Sequence, residues 1–192
     1  MLHHLTAGDY KVMPWKNGGG TTTELYAEPD PAGGFLWRVS IAAITADGPF
    51  SLFEGYDRHI MALDGAGMIL SRGPVGEIAV APLFTPRSFS GDWTISARLT
   101  GGPVRDFNLI ARRAALTSRL EVRTITGSPI VLSGEIRFLH VLRGTVDIVC
   151  AGVRHVLAAN DSLLNIGETE VQLTSQGPPA LAAACHIGKL RY

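Results

Sequence analysis

Apolar and polar residues alternate with a period of two along much of this chain. In 35–42, FLWRVSIA, Trp37, Val39 and Ile41 fall on one face of an extended strand, and Leu36, Arg38 and Ser40 on the other. Segments 58–70, 93–99, 106–111, 120–125, 136–150 and 171–175 read the same way. The best helical candidate is 111–120, ARRAALTSRL, which is short enough to serve as a linker instead. The 22 glycines and 11 prolines punctuate these runs finely. Short strands with regular turns predict an all-β sandwich or barrel.

The pattern occurs twice. RHIMALDGAGMIL (58–70) aligns with RFLHVLRGTVDIV (137–149), pairing Arg58 with Arg137, Leu63 with Leu142, Gly65 with Gly144 and Ile69 with Ile148. LTGGP (99–103) and LTSQGPP (173–179) extend the likeness with a different loop length. One β module therefore recurs, and self-similarity of this kind constrains architecture. The expected division is a first module over 1–112 and a second over 113–192. The boundary is approximate, and terminal strands are free to cross between modules.

Composition narrows the function classes. The hydrophobic fraction is 46%, enough for a real core, and no run approaches the roughly 18 apolar residues of a membrane span. Seventeen basic residues balance seventeen acidic ones, so bulk charge points to neither nucleic acid nor membrane. The start, MLHHLTAGDYKVMPWK, lacks the apolar core of a secretory signal. A cytoplasmic location with reduced thiols is expected. Cys150 and Cys185 form no CxxC motif and sit in apolar stretches, as buried small hydrophobes do.

The repeated unit, two strands around L-x-G-x-G, a loop with G-D or N-D, then L-T-x-G-P, resembles the double-stranded β-helix of cupins. That resemblance implies a carboxylate about seven residues before the turn glycine and two histidines shortly before it. Here the carboxylate places hold Arg58 and Arg137. The histidine places hold Leu52 and Glu54 in the first half, and Val131 and Ser133 in the second. A cupin metal needs imidazoles and a carboxylate on one cation, so no metal and no cofactor are expected. An inward arginine would instead hold a planar anion through its two-pronged guanidinium. The alternative is that either arginine lies outside in a surface ion pair.

The stretches PWKNGGGTTTEL, FLWRVSIA, DGPFSLFEGYDRHIMALDGAGM and FSGDWTISARLTGGPVRDFNLIARR sharpen the likeness. Together they resemble the HutD/Ves family of bicupins. The resemblance implies two cupin-like jelly-roll modules in one chain. It also implies an association with histidine-utilisation operons, where the protein binds a pathway intermediate and moderates the operon.

The loop 13–25, MPWKNGGGTTTEL, raises its own question. A phosphate loop needs its lysine after the last glycine, whereas Lys16 precedes all three. Asn17-Gly18 is a strong signal for a type I′ hairpin turn. Such a turn needs neither Trp15 nor Lys16, so the stretch is expected to edge a pocket mouth as well. The pocket candidates are Trp15, Lys16 and Asn17 from this loop, Arg38 and Ser40, Arg58 and His59, and Asp106 and Asn108. Polar residues at alternate positions of apolar strands face either water or a polar barrel interior. His59 reads equally well as a satisfied core histidine. Asp92 reads as a turn cap, and Arg112 and Arg113 as a module junction rather than a nucleic-acid patch.

The expected partner is a small anionic metabolite, with urocanate, formiminoglutamate and formylglutamate as the candidates that the family association implies. A homodimer is left open. Two rival classes remain at this point. One is an enzyme using Asp106 and His59 for general acid–base work. The other is a protein-interaction module.

Overall fold

The computed structural model describes residues 2–16, 18–167 and 170–190. Asn17 lies outside the described residues. Among the described residues the chain forms nineteen strands and two short 3₁₀ turns. No helix among the described residues is long and apolar enough to cross a membrane. The helical candidate at 111–120 is a turn between two strands, Val104–Arg112 and Leu116–Ile125, closed by the Ala115 amide on the Arg112 carbonyl.

The chain divides into two compact units, Tyr10–Leu116 with Leu190–Tyr192, and Thr117–Lys189 with Met1–Asp9. The first nine residues thus group with the C-terminal half. The strand His3–Leu5 gives the reason, since it pairs with Ser162–Gly167.

In the unit built on Tyr10–Leu116, a six-stranded antiparallel sheet runs in the order Lys11–Pro14, Gly20–Pro29, Phe35–Ile44, Val104–Arg112, Tyr56–Asp64, Arg87–Ser90. A four-stranded sheet holds Gly48–Pro49, Ser96–Leu99, Met68–Ser71 and Glu77–Val80. Ala42, Ile44, Ile60 and Ala62 from the first sheet cluster with Met68, Leu70, Val80 and Ala97 from the second. Even-numbered positions of the central strands therefore face this core. The expected strand at 93–99 begins only at Ser96, because 91–93 are spent turning around Asp92. The Asp92 carboxylate accepts hydrogen bonds from the Gly55 amide, the Ser90 hydroxyl and Arg113, which hold it at about 2.

The other unit has a five-stranded sheet, His3–Leu5, Ser162–Gly167, Ile136–Arg143, Ala180–Lys189, Leu116–Ile125. Its four-stranded sheet is Ile130–Leu132, Val171–Thr174, Thr145–Cys150, Val153–Ala158. Ile136, Leu139, Val141, Val146 and Ile148 lead its core. Cys150 and Cys185 are free thiols and buried. The repeat is visible in both units at the strand-turn glycine, with φ of 77° at Gly65 and 81° at Gly144. A side chain at Gly65 would also meet the Pro103 carbonyl at 2.4 Å.

Candidate functional site

A cavity of about 440 Å³ opens in the unit built on Tyr10–Leu116. Its wall is a set of cross-strand rows on the inward face of the six-stranded sheet. Ile110 stands opposite Arg38 on one neighbouring strand and Arg58 on the other. Asn108 stands opposite Ser40 and Ile60, and Asp106 opposite Ala42 and Ala62. Period two places Asp106, Asn108 and Ile110 on one face and Phe107 and Leu109 on the other. Trp15 and Lys16, from the loop after Lys11–Pro14, complete the lining with Phe50, Ser51 and Phe53.

Arg58 is 5% exposed and carries the densest surroundings. Its Nη1 donates to the Ser51 carbonyl and its Nη2 to Asn108 Oδ1, each at 3.1 Å. Its guanidinium carbon lies 5.1 Å from the Phe50 and Phe89 ring centres and 5.3 Å from that of Phe53. Arg38 stands similarly between Phe35 at 5.2 Å and Phe53 at 5.3 Å. Aromatic faces attract a cation without neutralising it. Among the described residues, neither arginine makes an ion pair with a carboxylate, and the Nε of each is buried without a hydrogen-bond partner. Burial lowers both guanidinium pKa values, that of Arg58 to about 10.

Asp106 is fully buried in the same wall. Asn108 Nδ2 donates to its Oδ1, so the Asn108 amide joins Arg58 to Asp106. The other carboxylate oxygen, Oδ2, has no hydrogen-bond partner of good geometry. Burial raises the Asp106 pKa to about 7, against the pull of Arg58 and the hydrogen bonds from Asn108 and the Ala42 backbone.

The remaining sequence candidates separate cleanly. Trp15, Lys16, Arg38, Ser40, Arg58, Asp106 and Asn108 meet at one cavity. His59 does not. One residue on from Arg58, it takes the opposite face of its strand and shares a 2.8 Å hydrogen bond with Ser88. Burial lowers its pKa, and it is the satisfied core histidine of the two readings. An acid–base pair of His59 with Asp106 is not assembled, because strand alternation points the two apart.

Arg137 differs from its counterpart for a local reason. The pairing register shifts between Ile136 and Phe138, so Ile136 joins the core of its unit. Arg137 is left half-buried, with Nε directed at the Ile187 carbonyl at 3.4 Å. A one-residue slip moves a side chain to the other face. Among the described residues, no three His, Cys, Asp or Glu side chains converge as a metal set.

A family model described as HutD matches residues 7–183. The chain belongs to the HutD family. A Pseudomonas putida protein, an uncharacterized 21.2 kDa protein in the hutC 3′ region, is 44% identical over 121 residues. That match spans 62% of this chain and 63% of the relative, less than two thirds of its length. The crystal structure of a conserved protein of unknown function from Pseudomonas aeruginosa PAO1 has a TM-score of 0.89 at 35% identity, covering 98% of this chain and 99% of that one. HutD from Pseudomonas fluorescens SBW25, in a formate condition, has a TM-score of 0.83 at 30% identity over the whole of both chains. A cupin 2 conserved barrel protein from Leptotrichia buccalis, at 9% identity and a TM-score of 0.56 over 86% of this chain and 88% of its own, bears on fold alone. The fold is all-β and cupin-like.

In this HutD chain the glycine-rich loop is a hairpin connection longer than two residues. Pro14 pairs with Thr21, and the Gly18 amide bonds to the Trp15 carbonyl, with Gly18 at a φ of 71°. The expected Asn17-Gly18 turn includes Asn17 and so lies outside the described residues. Trp15 folds back over the strand that follows the loop. Its indole N–H donates to Thr22 Oγ1 at 2.8 Å, and its ring covers Gly20. A Cβ at Gly20 would lie 2.3 Å from the Ala43 carbonyl and 3.1 Å from the Trp15 ring. Gly20→Ala should therefore cost about 1–3 kcal/mol and displace Trp15. Urea unfolding with indole emission checks this, and an unchanged transition with unchanged emission would show that the loop yields freely.

Sequence reasoning missed Phe50, Ser51 and Phe53. They lie in a segment without strand periodicity, and the only signal was the aromatic spacing in GPFSLFEGY.

Proposed function

We propose that this protein binds a small carboxylate metabolite, without a metal, and senses its level rather than transforming it. The observation that carries this reading is the pair of guanidiniums, buried Arg58 and part-buried Arg38, that face one cavity without an ion pair among the described residues. An unpaired buried charge is costly, so such a site favours an anionic occupant. Family membership favours an intermediate of histidine utilisation, with urocanate, formiminoglutamate and formylglutamate as the candidates. Two cupin-like modules in a bicupin arrangement accord with the repeat, with the ligand in the module that keeps its arginine inside. A cytoplasmic location, and a partner that is neither nucleic acid nor membrane, belong to the same reading.

In this reading Arg58 and Arg38 clamp the carboxylate, Lys16 adds charge at the mouth, and Ser40 and Asn108 orient polar groups. Trp15 has spent its N–H on Thr22, so it offers only a ring face. Calorimetric titration with the three intermediates tests the reading. Lys16→Ala should weaken binding in a salt-dependent way, because an exposed charge is screened over about 8–10 Å. Trp15→Ala should weaken urocanate more than formylglutamate, since only urocanate offers a conjugated ring to stack. Full affinity in both variants, for an intermediate that binds the wild type, would return the loop to a plain connection. Absence of binding by all three intermediates would refute the choice of ligand.

A further inference from the structure

Resting on the anion-binding reading, the next question is what the buried carboxyl of Asp106 does beside such a site. Asp106 shares Arg58 with whatever anion enters, through the Asn108 amide that touches both. Two carboxylates that share one buried cation do not both ionise readily, because each raises the cost of charging the other. The incoming anion has the stronger claim on the guanidinium. Asp106 accepts the Asn108 amide at Oδ1 and is also held by the Ala42 backbone, while its Oδ2 is buried without a hydrogen-bond partner of good geometry.

We propose that the cavity takes up a proton together with its anion, and that Asp106 is the group that receives it. The proton resides on the Asp106 carboxyl, no covalent bond to the ligand forms or breaks, and the supply is bulk solvent. In the empty site Asp106 answers Arg58 in part. In the occupied site the ligand carboxylate answers Arg58, and Asp106 becomes neutral. Affinity therefore falls as pH rises through the range where the empty site loses this proton. The raised pKa of about 7 puts that range near neutrality.

Four other charged side chains face the cavity or flank its wall. Arg58 faces Asp106 from Tyr56–Asp64, and Arg38 shares the cavity from Phe35–Ile44. Lys16 stands at the loop, and Glu24 lies on Gly20–Pro29 in register with Ser40. The arginines remain charged near neutrality. The nearest imidazole along the sheet, His59, is turned to the other face and bonded to Ser88.

The test is calorimetry of the whole protein with formate and with formylglutamate, whose carboxylates stay ionised near neutrality. Titrations at about pH 6 and about pH 8, in buffers of differing ionisation heat, count the protons exchanged. The expected result is a loss of affinity approaching tenfold per pH unit above neutrality, with fractional proton uptake near pH 8. Asp106→Asn should bind both probes with little pH dependence and no proton exchange. Infrared difference spectra of the wild type supply a check that needs no variant, since binding should add a protonated carboxyl stretch. PH-independent affinity without proton uptake overturns the proton link and leaves the anion reading standing, as does an Asn variant that keeps the uptake. Failure of both probes to bind at either pH overturns the anion reading and the proposal with it.

Discussion

Arg58→Ala weakens binding of a carboxylate ligand by about ten- to a hundredfold, whereas Arg137→Ala leaves it nearly unchanged. The magnitude follows from the roughly 1.5–3 kcal/mol that a hydrogen bond to a charged group contributes, at about 1.4 kcal/mol per factor of ten. The contrast follows from placement. Arg58 lines the cavity beneath three aromatic rings, and Arg137 is turned away by the bulge at Ile136. Both variants lose the same side chain from equivalent positions of the repeat, so Arg137→Ala controls for a general effect of removing charge. Calorimetry with the best-binding intermediate decides it. Equal losses in the two variants would mean that the binding site is not the cavity around Arg58.

Asp106→Asn stabilises the protein at about pH 8 and has little effect at about pH 4. The folded state holds the Asp106 pKa at about 7, above the ordinary value of 3.8 expected in the unfolded chain. Below the ordinary value both states carry the proton, and the group places no load on folding. As pH rises, the unfolded chain releases its proton first, and stability falls until the folded carboxyl also ionises near pH 7. A shift of about three pKa units corresponds to a loss on the order of 4 kcal/mol, which the asparagine would remove. His140 tilts the balance the other way. It is 1% exposed, shares a 2.8 Å hydrogen bond with Ser162, and has its pKa lowered to about 4 by burial. Its contribution is present above the ordinary histidine value of 6.5 and is lost as pH falls toward 4. The two slopes oppose each other between about pH 4 and pH 7, and the wild-type profile should be flatter than either.

Probe choice separates them. Trp15, Trp37 and Trp93 all lie in the unit that contains Asp106, while His140 lies in the other. Urea unfolding followed by tryptophan emission should therefore show the Asp106 effect. A variant no more stable than wild type at pH 8, with the same midpoint at pH 4, would mean that Asp106 ionises normally in the folded protein.

Much of the site was legible in the sequence because side-chain direction along a strand is a local property. Alternation alone put Arg38 with Ser40, and Asp106 with Asn108, on shared faces, and strand pairing then brought those faces to one wall with Arg58. The same regularity, followed one residue further, sends His59 the other way. Where the local pattern stops, so does the reading. Phe50 and Phe53 come from an aperiodic loop, and nothing local announces that their rings will pack around two guanidiniums. The segment Ala180–Lys189, with its alanine run, carries no strand alternation. It is a strand because Ile136–Arg143 and Leu116–Ile125 bond to it on both sides, and small side chains suit burial on both faces.

The sequence by itself determined the all-β class, the strand-turn glycines of the repeat and the polar residues that converge on the cavity. These depend on φ/ψ preference and on a period of two, both short-range. Tertiary structure alone decided three further points. It decided which of two matched arginines faces inward, since a single bulged residue reverses a face. It joined the first nine residues to the C-terminal half, since edge pairing links residues far apart in the chain. It set the charge of Asp106, since desolvation sums over every neighbour that excludes water, and no stretch of sequence contains that sum.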